Sequence, residues 1–287
     1  MNNLTVGVIS AGAVGLAVAE AFGRAGHNVS AVYAHSAGSA EVASQRITTV
    51  TRDLAEAAAA PLVILAVPDP VLPEVAEQVA EHARPGQIVA HTSGANGCAV
   101  LQPVTDTGAL PLALHPAMTF TATSEDTDRL RGCAWGVTAD SDQGMAVAEV
   151  LVNSIGGVAV PVPEDKRPAY HAAMAHAANH LVTLLSDAQR MMDHVLATNL
   201  PAHNPYSAAL LRNLAHAAVD NALELRMDGL TGPVARDDAP AVLRHLAALE
   251  DLGVDPAPYR QMAERTAQLR HAIEVERVLA TKLGGYE

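Results

Sequence analysis

The chain has 287 residues, of which 49% are hydrophobic, 17% charged and 3% aromatic, so it can build a sizeable core and is neither disordered nor fibrous. At roughly 100 to 200 residues per domain, this length suggests two domains. Its 18 lysines and arginines are outnumbered by 31 aspartates and glutamates, and the net charge of −13 disfavours nucleic acids and anionic membranes as partners, because both attract basic surfaces.

Neither the cysteines nor the apolar N-terminus points to secretion. Cys98 and Cys133 are too few for a disulfide framework and lack metal-ligand spacing, so we expect a reducing, cytoplasmic location. The apolar first segment ends at Glu20 and has no positive charge before Arg24. It is shorter than the roughly 20 apolar residues of a membrane helix, and we expect neither a signal peptide nor a membrane span.

The first segment instead has the pattern of a dinucleotide-binding unit. A strand is predicted at residues 4–9, a helix through residue 25 and a second strand at residues 28–34, with a turn of small residues after the first strand. In such a unit the pyrophosphate meets backbone amides at the positive end of the helix. A small-residue turn without a ligand is the alternative. We expect the phosphates to contact Ser10, Gly12, Ala13, Val14 and Gly15.

Three of these positions have individual roles in the motif. Gly12 lets the backbone approach the pyrophosphate, and Gly15 permits close packing of the helix on the strand. Ser10 stands where the motif has its first glycine. Serine fits a tight turn if its φ is negative, and we expect a negative φ there.

The end of the second strand decides between the two nicotinamide cofactors. NAD sites usually have an acidic residue about 20 residues after the glycines, which binds the ribose 2′-hydroxyl. Here no acidic residue occurs from the start of the second strand to Glu41, whereas His35, Ser36 and Ser39 can donate hydrogen bonds to a 2′-phosphate. We therefore predict NADP, with NAD as the alternative, and Arg46 as a distant candidate for the phosphate.

The alternation of strands and helices continues to residue 162. Further strands are predicted at residues 47–50, 62–67, 87–91, 110–115, 133–139 and 157–162, and helices at 71–83 and 141–154. This order predicts an α/β Rossmann domain with a mostly parallel, doubly wound sheet. Ligands bind beyond the carboxyl ends of such strands, so we expect Val67, Pro68, Asp69 and Thr92 to flank the nicotinamide.

From about residue 166 the pattern changes to long helices, predicted at residues 166–197, 205–228, 239–252 and 256–283. We place the boundary at the proline-rich segment around residue 162. The chain then divides into an NAD(P)-binding Rossmann domain, residues 1–162, and an all-helical domain, residues 163–287.

This domain order and six short motifs resemble a group of Rossmann-like oxidoreductases whose helical C-terminal domain has only a domain-of-unknown-function label. The group is similar to the 6-phosphogluconate dehydrogenase-like superfamily, which includes ketopantoate reductases, pyrroline-5-carboxylate reductases and prephenate dehydrogenases. The resemblance implies a helical domain of that superfamily, which binds substrate and forms a homodimer, and it leaves the substrate open. The motifs are Val67-Pro68-Asp69, His91-Thr92-Ser93-Gly94, residues 114–120, Tyr170-His171-Ala172-Ala173, residues 179–182 and residues 230–237.

The resemblance also suggests catalytic residues. Hydroxyacid dehydrogenases of the superfamily carry a lysine four residues before an asparagine; Asn179 resembles that asparagine, but Ala175 occupies the lysine position. Ser93 resembles the substrate-contacting serine. His115 resembles the catalytic histidine of prephenate dehydrogenases, and it also ends a predicted strand at the ligand side of the sheet. We expect a substrate atom between Ser93, His115 and Asn179, with a backbone-bonding role for His115 as the alternative.

Several other polar residues are candidates for the site. His171 lies two turns before Asn179 on the same helical stripe and is an acid/base candidate, with a packing role as the alternative. We expect Tyr170 and Arg236 to contact the substrate, Arg236 by clamping a carboxylate or else within a helix-capping turn. His176 and His180 have no obvious third ligand, so no metal is expected.

These residues favour an NADP-dependent oxidoreductase that transfers hydride between the nicotinamide and a small carbonyl, hydroxy or imine compound. The absence of this lysine slightly favours an imine substrate over a ketone. A protonated imine already carries its proton, whereas a ketone must receive one as the hydride arrives. A ketopantoate reductase-like enzyme is the specific alternative. A non-catalytic NADP-binding sensor or regulator is the alternative from a different class.

Overall fold

The computed structural model describes residues 3–196 and 205–281, so the predicted helix ends at residues 197 and 283 lie outside the described residues. The chain forms two compact units, Met1–Ala177 and Ala178–Glu287.

The first unit contains one eight-stranded sheet. Its strand order is β3-β2-β1-β4-β5-β6-β7-β8, and every neighbouring pair is parallel except β6 and β7. The predicted mostly parallel, doubly wound Rossmann sheet is confirmed. The strands are β1 (Thr5–Ile9), β2 (Asn28–Tyr33), β3 (Val50–Thr51), β4 (Leu62–Leu65), β5 (Ile88–His91), β6 (Leu110–Pro116), β7 (Ala134–Ala139) and β8 (Val158–Pro161).

Helices follow the strands of this unit. The sequence predicted α1, α4 and α7 but none of the four short helices between them, which offer too few turns for an apolar period. The helices are α1 (Ala13–Arg24), α2 (Ala37–Ser44), α3 (Leu54–Ala58), α4 (Leu72–Ala80), α5 (Gln102–Thr105), α6 (Glu125–Arg129) and α7 (Asp142–Ser154), followed by the first turns of α8 (Arg167–Val195).

The central strands are buried on both faces. Along β4, Leu62 and Ile64 belong to one apolar cluster with α1 and α7, while Val63 and Leu65 belong to another with α3 and α4. Both faces are therefore covered, which explains the continuous apolar run in the sequence. The carboxyl ends of these strands are therefore packed on both sides.

The second unit is helical. It contains the rest of α8 together with α9 (Pro205–Leu225), α10 (Ala239–Asp251), α11 (Ala257–Arg270) and α12 (Ile273–Thr281). Val242, Leu246, Val275 and Leu279 are buried at its core. The predicted single helix over residues 256–283 is wrong, because His271 adopts a φ of +54° between α11 and α12. Among the described helices, none combines the length and apolarity needed to cross a membrane.

Candidate active site

The turn after β1 has an unusual backbone at Ser10. Its φ is +121°, so the expected negative φ is wrong. Positive φ is a region that glycine adopts freely and serine does not. Ser10 thus retains a backbone conformation suited to the glycine that the motif has at this position.

The start of α1 is open to an anion. A Cβ at Gly15 would overlap the carbonyl oxygen of Ser10, so this glycine allows α1 to begin directly against the end of β1. Gly12 N donates to Ser10 Oγ at 3.2 Å, and α1 has no side-chain cap. The amides of Ala13, Val14 and Gly15 therefore remain without side-chain acceptors among the described residues, at the positive end of the helix.

At the end of β2, most of the residues expected to bind a 2′-phosphate already have hydrogen-bond partners. Ser36 and Ser39 form a capping box at the start of α2, with their hydroxyl oxygens 3.0 Å apart, so both hydroxyls already have partners within the turn. His35 is exposed. Arg46 is not available here, because its Nε donates to Glu20 Oε1 at 2.7 Å in a largely buried ion pair.

A second arginine near this point was missed by the sequence reasoning. Ala34 N donates to Thr51 O at 2.9 Å, which extends the β2–β3 pairing and brings Arg52 to the same edge as His35. Arg52 is exposed and forms no ion pair with any described residue. Strand β3 is only two residues long, so the sequence did not indicate that Arg52 follows a strand beside β2.

Four parallel neighbours bring the expected contact residues to one edge of the sheet. Strands β1, β4, β5 and β6 lie side by side, and their carboxyl ends therefore meet at this edge. The residues there are Ser10 after β1, Val67-Pro68-Asp69 after β4, Thr92 after β5 and His115 near the end of β6.

The loop after β5 is shaped by His91, to which the sequence reasoning gave no role. Its ring is fully buried; Nδ1 accepts from Ser93 N at 3.1 Å, so Nε2 carries the proton and donates to Gly97 O at 2.8 Å. Burial lowers the pKa of His91 to about 4, and the ring is neutral. Ser93 Oγ accepts from Asn96 N and Nδ2 at 3.1 and 2.9 Å, which leaves its own proton to donate.

His115 is held by Tyr170. The two side chains share a hydrogen bond of 2.8 Å between His115 Nδ1 and the Tyr170 hydroxyl. The Tyr170 ring lies against Gly136, whose missing side chain makes room for it. A phenol is a stronger acid than a neutral imidazole, so Tyr170 donates and the ring proton sits on Nε2. Burial, followed by the positive charge of Arg167, lowers the pKa of His115 to about 4.

Gly94 brings the two predicted histidines together. A Cβ at Gly94 would lie 2.9 Å from His115 Nε2 and still closer to His171 Nδ1. The two imidazole rings are 6.2 Å apart and nearly perpendicular. His171 Nδ1 is buried and has no hydrogen-bond partner among the described residues.

Beneath this group lies Arg167, which the sequence reasoning also missed. Its side chain is fully buried at the start of α8, and its guanidinium carbon lies 5.7 Å from the centre of the Tyr170 ring. Its hydrogen bonds go to residues 93, 113, 136 and 138, which are distant in sequence. No short motif could have indicated it.

The remaining predicted residues belong to the second unit. Asn179 follows His171 on α8, and Arg236 is exposed in the turn before α10. Their assignments as catalytic and substrate-binding residues stay predictions. Within residues 3–196 and 205–281, no group of three or more His, Cys, Asp or Glu could hold a metal ion.

Comparison with protein families matches residues 1–116 to a Rossmann-like domain and residues 133–266 to the domain of unknown function DUF2520. The chain therefore belongs to the class of proteins with a Rossmann-like domain followed by a helical domain. More narrowly, it is a Rossmann-like protein with a DUF2520 C-terminal domain, as its sequence motifs suggested. A comparison with curated protein sequences finds no match.

Solved structures share the fold over nearly the whole chain. A protein from Bacteroides fragilis, described as a proposed NADP oxidoreductase, is 22% identical, with a TM-score of 0.73 and coverage of 95% of this chain and 98% of that one. A reductive aminase from Aspergillus terreus, in complex with NADPH and ethyl levulinate, is 17% identical (TM-score 0.64; coverage 100% and 97%). A pyrroline-5-carboxylate reductase from Coxiella burnetii is 16% identical (TM-score 0.59; coverage 93% and 99%). At these identities the likeness establishes the fold.

Proposed function

We propose that the protein is an NADP-dependent oxidoreductase acting on a small carbonyl or hydroxy compound, with an imine as the alternative substrate. The observation that carries this proposal is the edge formed by β1, β4, β5 and β6. An uncapped helix start and a hydrogen-bonded His115–Tyr170 pair lie at the same edge. A phosphate-binding turn and an ionisable pair on one edge are what hydride transfer requires of the protein.

The residues at this edge fit a dinucleotide. The free amides of Ala13, Val14 and Gly15 suit the pyrophosphate, and Val67 to Asp69 and Thr92 would flank the nicotinamide. Bound NADP would supply or accept the hydride. The NADPH complex of the structurally similar reductive aminase from A. terreus supports this cofactor class.

The end of β2 favours NADP over NAD. Residues 34–40 after it include no carboxylate to bind a 2′-hydroxyl, and His35 and Arg52 are exposed there. Because the hydroxyls of Ser36 and Ser39 are engaged in the capping box, we assign the main phosphate contact to Arg52. An arginine can form charge-assisted hydrogen bonds with a phosphate that it cannot form with a hydroxyl group.

His115 would polarise the substrate. At neutral pH its ring is uncharged, and its Nε2–H can donate a hydrogen bond to a substrate oxygen and stabilise the negative charge that develops there. The Ser93 hydroxyl provides a second donor. His171 would donate a proton to the substrate oxygen in reduction and accept one in oxidation, because its buried Nδ1 has no hydrogen-bond partner among the described residues.

The charge around His115 favours a carbonyl over an imine. Arg167 is buried behind the ring, and its positive charge opposes protonation of His115. The same charge would oppose a protonated imine and favour a developing alkoxide. This reverses the slight preference for imines that the missing lysine suggested.

Turnover tests the proposal. NADPH oxidation is followed at 340 nm with a panel of 2-oxo acids, including ketopantoate, neutral ketones and cyclic imines. We expect turnover of a carbonyl compound, lost in His115→Asn while NADPH affinity is unchanged. NADPH bound without turnover on the panel supports a sensor, and failure of the wild type to bind NADPH refutes the cofactor assignment.

We also propose a homodimer through the helical unit. Helix α9 has 21 residues, of which Ser207 is the only buried one. Leu210, Leu214 and Leu225 lie along one side of it and are 58%, 68% and 53% exposed. An apolar stripe of this kind on a soluble protein is typical of an interface, and a second copy of this chain is the occupant we propose.

A further inference from the structure

Arg167 is a buried cation whose direct partners are all neutral. Its Nε donates to Thr138 Oγ1 at 2.7 Å, and Nη2 donates to the carbonyl oxygens of Ala113 and Gly136 at 3.0 Å each. Nη1 lies 3.4 Å from Ser93 O. No ion pair joins Arg167 to any other residue in the described ranges, and none of its surface is exposed.

Fold stability alone gives little reason for such an arrangement. Transferring a guanidinium from water to the interior is costly, and neutral oxygens compensate for this less well than a carboxylate. Arg167 is also the first residue of α8, where the helix dipole disfavours positive charge. An apolar side chain would avoid both costs, so the position of Arg167 calls for another explanation.

Three of the four groups bound by Arg167 belong to or lie beside residues of the candidate site. Ser93 follows β5, Ala113 lies two residues before His115 on β6, and Gly136 is paired with His115 across β6 and β7. Gly136 also supports the ring of Tyr170. One side chain therefore ties the loop after β5 to β6 and β7, which carry or face the proposed donors.

We propose that Arg167 is a positioning residue, which fixes the strand ends bearing Ser93 and His115 and seats the Tyr170 ring so that its hydroxyl meets His115 Nδ1. This inference rests on the proposed function for its effect on turnover, whereas its effect on His115 can be measured without any substrate.

The charges around His115 support the same role. Arg167, Tyr170 and His171 face it from α8, His91 from β5 and Asp69 from the loop after β4. After burial, Arg167 contributes most to lowering the pKa of His115, and Asp69 opposes it. The nearby carboxylate of Glu164 is occupied by the amides of Cys98 and Ala99.

Three variants separate charge from geometry. Arg167→Met removes both, Arg167→Lys keeps the charge but loses the planar fork, and Thr138→Val removes one acceptor and leaves the arginine in place. The matched control is Arg131→Met, which removes an exposed cation. For each full-length variant, the His115 ring is titrated by NMR, assigned by comparison with His115→Asn, and kcat, KM and NADPH affinity are measured.

We expect the pKa of His115 to rise in Arg167→Met and to stay near the wild-type value in Arg167→Lys, Thr138→Val and the control. Displaced donors should lower kcat in all three site variants by roughly 10- to 100-fold, with NADPH affinity unchanged. A folded Arg167→Met with an unchanged His115 titration overturns the proposal. If that variant does not fold, wild-type kcat in both Arg167→Lys and Thr138→Val overturns it. If the wild type has no turnover, the proposed function fails and the NMR titration alone decides the role of Arg167.

Discussion

Replacing Gly94 by alanine tests whether the space between the two histidines matters. The new Cβ would lie 2.9 Å from His115 Nε2 and 3.1 Å from His115 Cδ2, and it would overlap His171 Nδ1. An ordinary contact begins near 3.4 Å, so the His115 ring must retreat by about 0.5 Å and His171 by more. Neither ring moves freely, because His115 is hydrogen-bonded to Tyr170 and His171 belongs to helix α8.

The size of the effect follows from this crowding. Overpacking by one methyl group typically costs about 1–3 kcal/mol of unfolding free energy. For a unit of this size that lowers Tm by roughly 2–12 °C. Since the displaced atoms are the proposed donors, kcat should fall roughly 10- to 100-fold, more than the loss of stability alone explains.

Thermal unfolding and NADPH oxidation measure the two effects side by side. The matched control is Gly23→Ala at the far end of α1, where the nearest atom to the new Cβ is 3.9 Å away, and it should gain up to about 1 kcal/mol of stability with unchanged activity. A Gly94→Ala variant with wild-type Tm and kcat would refute the argument that Gly94 spaces the histidines.

Four further changes have defined outcomes. In urea denaturation, Ser10→Gly should be more stable than Ser10→Ala by about 1 kcal/mol, because only glycine relieves the positive φ. The pKa of His91 is about 4 in the fold against 6.5 for the free side chain, so its stabilising contribution is complete above pH 6.5 and is lost as the pH falls towards 4. That loss amounts to roughly 3 kcal/mol in the free energy of unfolding, measured by denaturation at several pH values. Arg52→Ala should weaken NADPH binding roughly 10- to 100-fold in calorimetry and leave NADH binding unchanged. Leu214→Glu should convert a dimer into a monomer in light scattering.

Each of these has its own control or contrary result. Equal stability of the two Ser10 variants contradicts the strain argument. His91→Asn should reduce the loss of stability at low pH by roughly half, because His115 has a similarly lowered pKa. Replacement of the exposed His82 by Gln should retain the full loss. Arg129→Ala, at an exposed ion pair elsewhere, should bind both cofactors normally, and equal loss of NADPH and NADH in Arg52→Ala counts against a phosphate contact. A wild type that is already monomeric rules out the dimer.

Local sequence patterns predicted the buried strands and the long helices of this fold. The buried strands β1, β4 and β5 are short continuous apolar runs, and the long helices have an apolar period of 3.6 residues. Both patterns can be recognised without knowing the neighbouring elements. The break at His271 escaped detection, because it has neither glycine nor proline to mark it. Likewise, the antiparallel pairing of β6 and β7 depends on how the chain returns after residue 116, which no local pattern records.

Some residues of the candidate site could likewise be predicted from local sequence, and others could not. Ser93 and His115 could be singled out because each follows or ends a predicted strand. Arg167 could not, since its partners become neighbours only when β5, β6 and β7 have assembled. The positive φ of Ser10 was likewise missed, because residue type alone argued for the opposite sign.

The end of the first compact unit at Ala177 matters to anyone who divides this protein into fragments. A fragment that stops after β8 would keep every strand, yet it would leave three main-chain carbonyls and the Thr138 hydroxyl without the donors that Arg167 supplies. It would also lose the side chains of Tyr170 and His171, which lie beside His115. An N-terminal fragment that keeps the proposed site therefore needs to run through the opening turns of α8, because a cut made where the strands stop removes Arg167, Tyr170 and His171.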